Sequence, residues 1–126
     1  MPEKPASLYT RLGGYDAIAA VVDDLLPRLR ADALLGRFWI SPRSVDTNNR
    51  ERQLAIDFIA AAAGGPTIYL GRDMKLAHTG MGISKADYTA FMRCLFLTLD
   101  KFQVTEPERG EVVAFALSLQ EEIAEA

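Results

Sequence analysis

Apolar residues recur at helical spacing along most of this chain. The clearest example is a run in which the apolar positions fall three or four residues apart: Ile18, Val21, Val22, Leu25, Leu26 and Leu29. This spacing places the side chains on one face of a helix, so it predicts an amphipathic helix with one buried stripe. No stretch alternates apolar and polar residues as a half-buried strand does. The sequence therefore predicts an all-α fold in one domain, residues 1–126, with residues 1–6 as a flexible tail.

Polar residues and glycines mark the ends of the predicted helices in the first half of the chain. Ser7 is suited to cap a short first helix that ends at Gly13-Gly14. An apolar corner over residues 34–40 is expected to end at Ser41-Pro42. The polar residues 43–49 are expected to form a loop.

Glycines also punctuate the middle of the chain. A long helix is predicted from about Asn49 to Ala63, and Gly64-Gly65-Pro66 ends it because proline cannot continue a helix. Residues 67–83 are predicted to be irregular, apart from a short helix from Asp73 to His78. An irregular segment of this length inside a small domain is often functional.

Two further helices are predicted in the last third of the chain. Ser84 and Asp87 have the spacing of a capping box in front of an aromatic helix. Thr105 is expected to cap the last helix, with Pro107 in its first turn. The predicted buried residues of the last helix are Val112, Val113, Ala116, Leu119 and Ile123.

Composition narrows the class of protein. Of the 126 residues, 49% are hydrophobic and 25% are charged, which is the balance of a globular protein with a core. The net charge is −3 and no basic stripe is present, so nucleic acid is not an expected partner. No apolar run approaches the ~18 residues that a membrane span requires, and residues 1–7 do not resemble a secretory signal. A cytoplasmic protein is expected.

His78, the only histidine, is the first candidate for chemistry. An imidazole at the end of a short helix is suited to ligate a haem iron through Nε2. Its Nδ1 would then donate to a backbone carbonyl one turn earlier, such as that of Met74, and fix the ring. A histidine that only makes a local hydrogen bond is the alternative, and the residues alone leave both open. A zinc site is disfavoured, because one histidine and Cys94 supply too few ligands.

A set of apolar and aromatic residues in the second half of the chain has two interpretations. They form either a flat, dry slot for a prosthetic group or an ordinary helical core. The residues concerned are Phe58, Ile59, Met81, Ile83, Phe91 and Leu95. Cys94 lies among apolar residues and is expected to be inert packing. The acidic pairs Asp23-Asp24 and Glu121-Glu122 are adjacent on helices, so neither converges on a substrate.

Several segments in a fixed order are shared with a known family. They are Leu8–Gly14 (LYTRLGG), Phe58–Pro66 (FIAAAAGGP), Tyr69–His78 (YLGRDMKLAH) and Met81–Ser84 (MGIS). Over residues 7–123 the chain resembles the group I truncated haemoglobins. The resemblance implies a two-over-two helical sandwich around haem b, with His78 as the iron ligand. It also implies that diatomic gases such as dioxygen, nitric oxide and carbon monoxide bind at the sixth position of the iron.

The resemblance assigns further residues to the haem site. The gas-binding side would be built from Leu26, Trp39, Glu51, Ala55, Phe58 and Ile59. The opposite side would involve Met74, Met81, Ile83, Phe91 and Leu95. Tyr69 and Lys75 match positions that reach the haem propionates, and a charge pair with Lys75 is physically reasonable there.

The chain departs from the family pattern on the gas-binding side. Many members have a tyrosine at the position of Leu26 and a glutamine at that of Ala55, and both donate hydrogen bonds to dioxygen. Glu51 is an acceptor when ionised and is expected to turn to solvent. The remaining nearby donors are the indole of Trp39 and the amide of Gln53, which points elsewhere on a straight helix. We expect fast release of dioxygen and a preference for ligands such as carbon monoxide.

Three functions are compatible with these features. The first is a haem protein for oxygen binding, transport or gas sensing, monomeric or weakly dimeric. The second is a nitric oxide dioxygenase or weak peroxidase, which would need an external reductase. The third is a helical interaction module without a cofactor. With one histidine in the chain, a bis-histidine iron within one subunit is excluded.

Overall fold

A computed structural model describes residues 6–39 and 44–125, and all of the regular structure within them is helical. The α-helices are α1 (Leu8–Leu12), α2 (Gly14–Ala31), α3 (Val45–Ala62), α4 (Met74–His78), α5 (Lys85–Lys101), α6 (Glu108–Ser118) and α7 (Gln120–Ile123). A 3-10 turn covers Gly36–Trp39. The predicted all-α class is confirmed. Most of the predicted tail, along with Ile40 and Ser41-Pro42 at the end of the apolar corner, lies outside the described residues.

Helix α2 is the centre of the packing. It packs against α1, α3 and α5, so its stripe faces neighbours on two sides. The smaller of two buried clusters joins α2 to α3 and contains Ile18, Val22, Ile56 and Ala60. The larger one joins α2 to α5 and α6 and contains Leu25, Leu29, Leu35, Tyr88, Ala90, Met92, Cys94, Leu95, Leu99 and Ala116. Leu26 packs against both clusters and therefore lies at their junction.

The short helix α1 ties the beginning of the described chain to the end of α3. The Ser7 hydroxyl accepts a hydrogen bond from the Thr10 amide at 3.1 Å, as the sequence predicts for a cap. The amide of Tyr9 donates to the carbonyl of Ala63 at 2.9 Å. Helix α3 ends directly before this contact, so the predicted end at the second pair of glycines is confirmed.

Helix α3 begins four residues earlier than the sequence predicts. It starts at Val45, so the predicted loop over residues 43–49 is wrong for residues 45–49, and residue 43 lies outside the described part of the chain. The Ser44 hydroxyl caps the helix by accepting from the Thr47 amide at 3.0 Å. The first turn lies exposed, and Val45 is 74% exposed. A capped turn that faces solvent needs no apolar stripe, so its polar composition did not indicate a helix.

The start and the end of the last predicted helix also need correction. Thr105 does not cap it; α6 begins at Glu108, directly after Pro107. The carboxylate of Glu106 accepts from the Gly110 amide at 3.0 Å and satisfies one of the first-turn donors. The helix is also interrupted at Leu119, so the predicted single helix is α6 followed by α7.

The predicted capping box at the start of α5 is present and carries an additional ion pair. The Ser84 hydroxyl accepts from the Asp87 amide at 3.1 Å, and the Asp87 carboxylate accepts from the Ser84 amide at 2.8 Å. The same carboxylate accepts from Arg37 Nη2 at 2.6 Å, although Asp87 is only 1% exposed. The Arg37 guanidinium holds the pKa of Asp87 at about 2. Asp87 thus fixes the 3-10 turn to α5.

We expect Asp87→Ala to lower the free energy of unfolding by about 2 kcal/mol at neutral pH, because a cap and a charge-assisted hydrogen bond are lost. Since the folded-state pKa lies below the ordinary value of about 4, the ionised Asp87 stabilises the fold above that pH. This contribution is lost as the pH falls from about 4 towards about 2. Urea unfolding followed by circular dichroism at several pH values measures both effects.

The control for this prediction is Asp46→Ala, which removes an exposed carboxylate from the first turn of α3. It should retain the acid sensitivity of the parent protein. Equal loss of stability on acidification in the Asp87 variant and in the parent would show that Asp87 is not responsible.

Candidate functional site

His78 is held in a defined orientation at the end of α4. Asp73 caps this helix by accepting from the Leu76 amide at 2.9 Å. The ring Nδ1 lies 2.8 Å from the carbonyl oxygen of Met74, which confirms the predicted bond one turn earlier. A carbonyl oxygen only accepts, so Nδ1 carries the proton and Nε2 keeps a lone pair. No partner of Nε2 lies among residues 6–39 and 44–125. This is the arrangement that an imidazole needs in order to ligate a metal.

A cavity of about 450 Å³ opens between α3 and the segment that leads into α4. Its lining combines apolar and cationic side chains: Arg50, Leu54, Tyr69, Leu70, Gly71, Arg72 and Ala77. Ala77 directly precedes His78, so the cavity reaches the helix that carries the histidine. The volume is within the range of about 300–1,000 Å³ that is usual for cofactor and ligand pockets.

Two arginines in this lining, Arg50 and Arg72, were not predicted from the sequence. Both are exposed, and no carboxylate within the described ranges pairs with either. Arg50 lies one turn before Leu54 on α3, and this i, i+4 spacing was the available signal for Arg50. Two unpaired guanidinium groups at one cavity are suited to bind carboxylates. Lys75, which the resemblance placed here, is exposed and does not line the cavity.

Aromatic rings form one side of the site. The rings of Phe58 and Tyr69 meet edge to face with centroids 5.2 Å apart, and Phe115 lies 5.8 Å from Phe58. The Tyr69 hydroxyl donates to the carbonyl of Arg72 at 2.5 Å, and burial raises its pKa. Phe58 and Tyr69, which the resemblance assigned to different parts of the haem site, are therefore in contact with each other.

The other predicted contact residues differ in their exposure. Leu95 is buried, and Phe91 packs beside Tyr88 with ring centroids 5.3 Å apart. Met74 and Ile83 are half-buried, whereas Met81 is 44% exposed. Cys94 is buried in the larger cluster as predicted, and burial raises the pKa of its thiol.

The predicted gas-binding side lies at the junction of the two clusters. Leu26 contacts both of them, and Ala55 and Ile59 pack against the smaller one. All three side chains are apolar and half-buried. None of them has an N–H or O–H group that could donate a hydrogen bond to a bound ligand.

Glu51 does not turn to solvent, contrary to the sequence-based expectation. Its carboxylate accepts from the Trp39 indole Nε1, with distances of 3.2 and 3.4 Å to its two oxygens. It also pairs with Arg30 Nη2 at 3.1 Å. A cation and an indole donor compete successfully with water at this half-buried position. The indole donor of Trp39 is therefore committed to Glu51.

Gln53 points away from this group, as its position on α3 indicates. Its amide donates to the Tyr15 hydroxyl at 2.5 Å and to the Asp57 carboxylate at 2.9 Å. The side chain is exposed. The structure thus brings Trp39 and Glu51 together and leaves Gln53 on a different face of the helix.

Comparisons with known proteins cover almost the whole described chain. The family model of bacterial-like globins matches residues 7–124. The chain is 33% identical over 121 residues to the group 1 truncated haemoglobin GlbN of Mycolicibacterium paratuberculosis, covering 96% of this chain and 86% of that protein.

Solved structures of haemoglobins also match this chain over most of its length. A 2/2 haemoglobin from Synechococcus, in the cyanomet state and with covalently attached haem, has a TM-score of 0.81 and 30% identity, over 93% of this chain and 95% of that one. The truncated haemoglobin of Tetrahymena pyriformis in its Fe(III) form has a TM-score of 0.81 and 25% identity, over 96% and 100% of the two chains. In the part of this chain that the structure describes, no helix is both long and apolar enough to cross a membrane.

Proposed function

Because this chain belongs to the bacterial-like globin family, as a group 1 truncated haemoglobin, we propose that it holds haem b through His78 and binds small gases reversibly. The gases are dioxygen, nitric oxide and carbon monoxide, and the role is oxygen binding and transport or gas sensing. The observation that carries this proposal is the 2.8 Å bond from Nδ1 of His78 to the Met74 carbonyl. It fixes the ring and leaves Nε2 as the ligating atom.

The lining of the cavity beside His78 suits both the apolar ring of a haem and its charged propionates. Leu54, Leu70 and Ala77 supply apolar surface for the ring, and Arg50 and Arg72 supply donors for the two propionates. When bound, haem would supply an iron that binds diatomic gases. The protein would contribute the His78 imidazole that holds the iron, the apolar walls and the cationic groups at the cavity.

The committed indole of Trp39 supports reversible binding with fast release. Leu26 and Ala55 donate no hydrogen bond, and Glu51 already accepts the Trp39 donor. A gas that depends on a hydrogen bond for slow release has no donor among these four side chains. This chemistry suits a carrier or sensor that exchanges its ligand quickly.

Titration of the haem-free protein with haemin tests the proposal. We expect one haemin per chain, a Soret band, and a five-coordinate ferrous spectrum that changes on addition of carbon monoxide. Haemin dimethyl ester has both carboxylates esterified and therefore uncharged. It should bind several-fold more weakly than haemin, because exposed ion pairs contribute up to about 1 kcal/mol each. Absence of a Soret band after reconstitution would exclude the proposed function.

The double variant Arg50→Gln, Arg72→Gln tests whether these two arginines bind the haem propionates. It should bind haemin and its dimethyl ester with equal affinity. Lys85→Gln is the matched control, since it removes an exposed cation at the start of α5, away from the cavity lining. If the control and the double variant behaved alike, the arginines would not bind the propionates.

A further inference from the structure

The loop that follows His78 is tied to Glu125 by three hydrogen bonds. One carboxylate oxygen of Glu125 accepts from the Gly80 amide and the other accepts from the Gly82 amide, each at 2.9 Å. The Glu125 amide donates to the carbonyl of Ile83 at 2.5 Å. A single residue, distant in sequence, thus holds the segment that leads from the histidine to α5.

The loop conformation depends on glycine at two positions. Gly80 and Gly82 have φ values of +88° and +73°, which a residue with a side chain rarely adopts. In this conformation both amides are directed at the same carboxylate. These two amides lower the pKa of Glu125, which agrees with binding of its ionised form.

Helix α4 depends on α7 and on Glu125 for its position. It has five residues and none of them is buried, and a helix of this length is not stable by itself. It packs against α7, and the chain reaches Glu125 directly after that helix. The Met81 amide donates to the carbonyl of His78 at 3.1 Å, so the loop is bonded to the histidine residue itself.

We propose that Glu125 is a positioning residue for His78, which it holds through the loop over residues 79–83. The proposal rests on the proposed function, in which His78 ligates the haem iron. Glu125 touches neither haem nor gas. It restricts the movement of α4 along and around its axis, and so determines how closely and at what angle the imidazole approaches the iron.

The test compares Glu125→Ala with Glu122→Ala, which removes an equally charged, exposed side chain from α7. The first measurement is amide hydrogen exchange of Gly80 and Gly82 in the haem-free 126-residue chain. Loss of one hydrogen bond of about 1.4 kcal/mol corresponds to about tenfold faster exchange. We expect this acceleration in Glu125→Ala and not in the control. Glu125→Gln keeps one carbonyl oxygen and should give an intermediate result.

The second measurement is the iron–histidine stretching band of the ferrous protein, observed by resonance Raman spectroscopy. We expect the band to shift and broaden in Glu125→Ala, to be partly restored in Glu125→Gln and to be unchanged in the control. Unchanged exchange, or faster exchange with an unchanged band, would overturn the positioning role. Failure of the parent chain to take up haem would instead exclude the proposed function. The exchange rates of the Gly80 and Gly82 amides would still show whether Glu125 holds the loop.

Discussion

Substitution of His78 by glycine removes the iron–histidine stretching band and increases the haem dissociation rate by more than about 100-fold, since loss of even an outer partner of a metal ligand costs about 10–100-fold. The chain has no other histidine that could replace it. The side chain is half-buried and, within residues 6–39 and 44–125, its ring bonds only to a carbonyl of its own short helix, so the fold should survive the change. Haem transfer to an excess of apomyoglobin measures the rate.

Free imidazole provides the control for this variant. The space left by His78→Gly should admit imidazole, which restores the five-coordinate ferrous spectrum and slows haem loss. Recovery of the spectrum by imidazole would show that the variant has lost the iron ligand but kept its fold. A His78→Gly protein that kept the parent spectrum without imidazole would show that another group ligates the iron.

Local signals in the sequence were sufficient for most helix ends and for the orientation of His78. Ser7, Ser84 and Asp73 all accept hydrogen bonds from the first turns of their helices. The bond from His78 to Met74 joins residues four apart. Such contacts depend on short-range spacing alone, which can be read directly from the order of residues.

Errors arose where a helix end lacked an apolar pattern or where another residue supplied the cap. Helix α3 starts with an exposed polar turn, so periodicity placed its beginning near Asn49 rather than at Val45. At α6 a carboxylate from Glu106 satisfies the first turn, whereas a hydroxyl from Thr105 was expected. In both cases several polar side chains could have served, and three-dimensional packing determines which one does.

Contacts between distant elements could not be predicted from spacing. The pairing of Trp39 with Glu51, the cavity that Arg50 and Arg72 both line, and the bonds of Glu125 to the loop after His78 each join different segments. The family resemblance assigned Trp39 and Glu51 to the haem site but did not predict these contacts. They depend on how distant segments pack in three dimensions, which residue spacing within one segment does not determine.

Replacement of Leu26 by tyrosine should slow dioxygen release by about 10–100-fold, because a hydrogen bond to a partly charged ligand is worth about 1.5–3 kcal/mol. Leu26 lies half-buried at the junction of the two clusters, and Ala55 and Ile59, which pack against the smaller cluster as Leu26 does, donate no hydrogen bond. A phenol at this position would add a free donor beside Leu26's apolar neighbours in the described part of the chain. Stopped-flow displacement of dioxygen by carbon monoxide measures the release rate.

The matched control is Leu26→Phe, which adds a similar volume without a hydroxyl group. Overpacking at this junction costs about 1–3 kcal/mol of stability in both variants, so unfolding should be affected alike. Only the tyrosine should slow release, and its preference for carbon monoxide over dioxygen should fall. Equal release rates in the two variants would place residue 26 out of reach of the bound gas. A slow rate already present in the parent would mean that another donor serves this site, and Trp39→Phe would then show whether the indole leaves Glu51 to provide it.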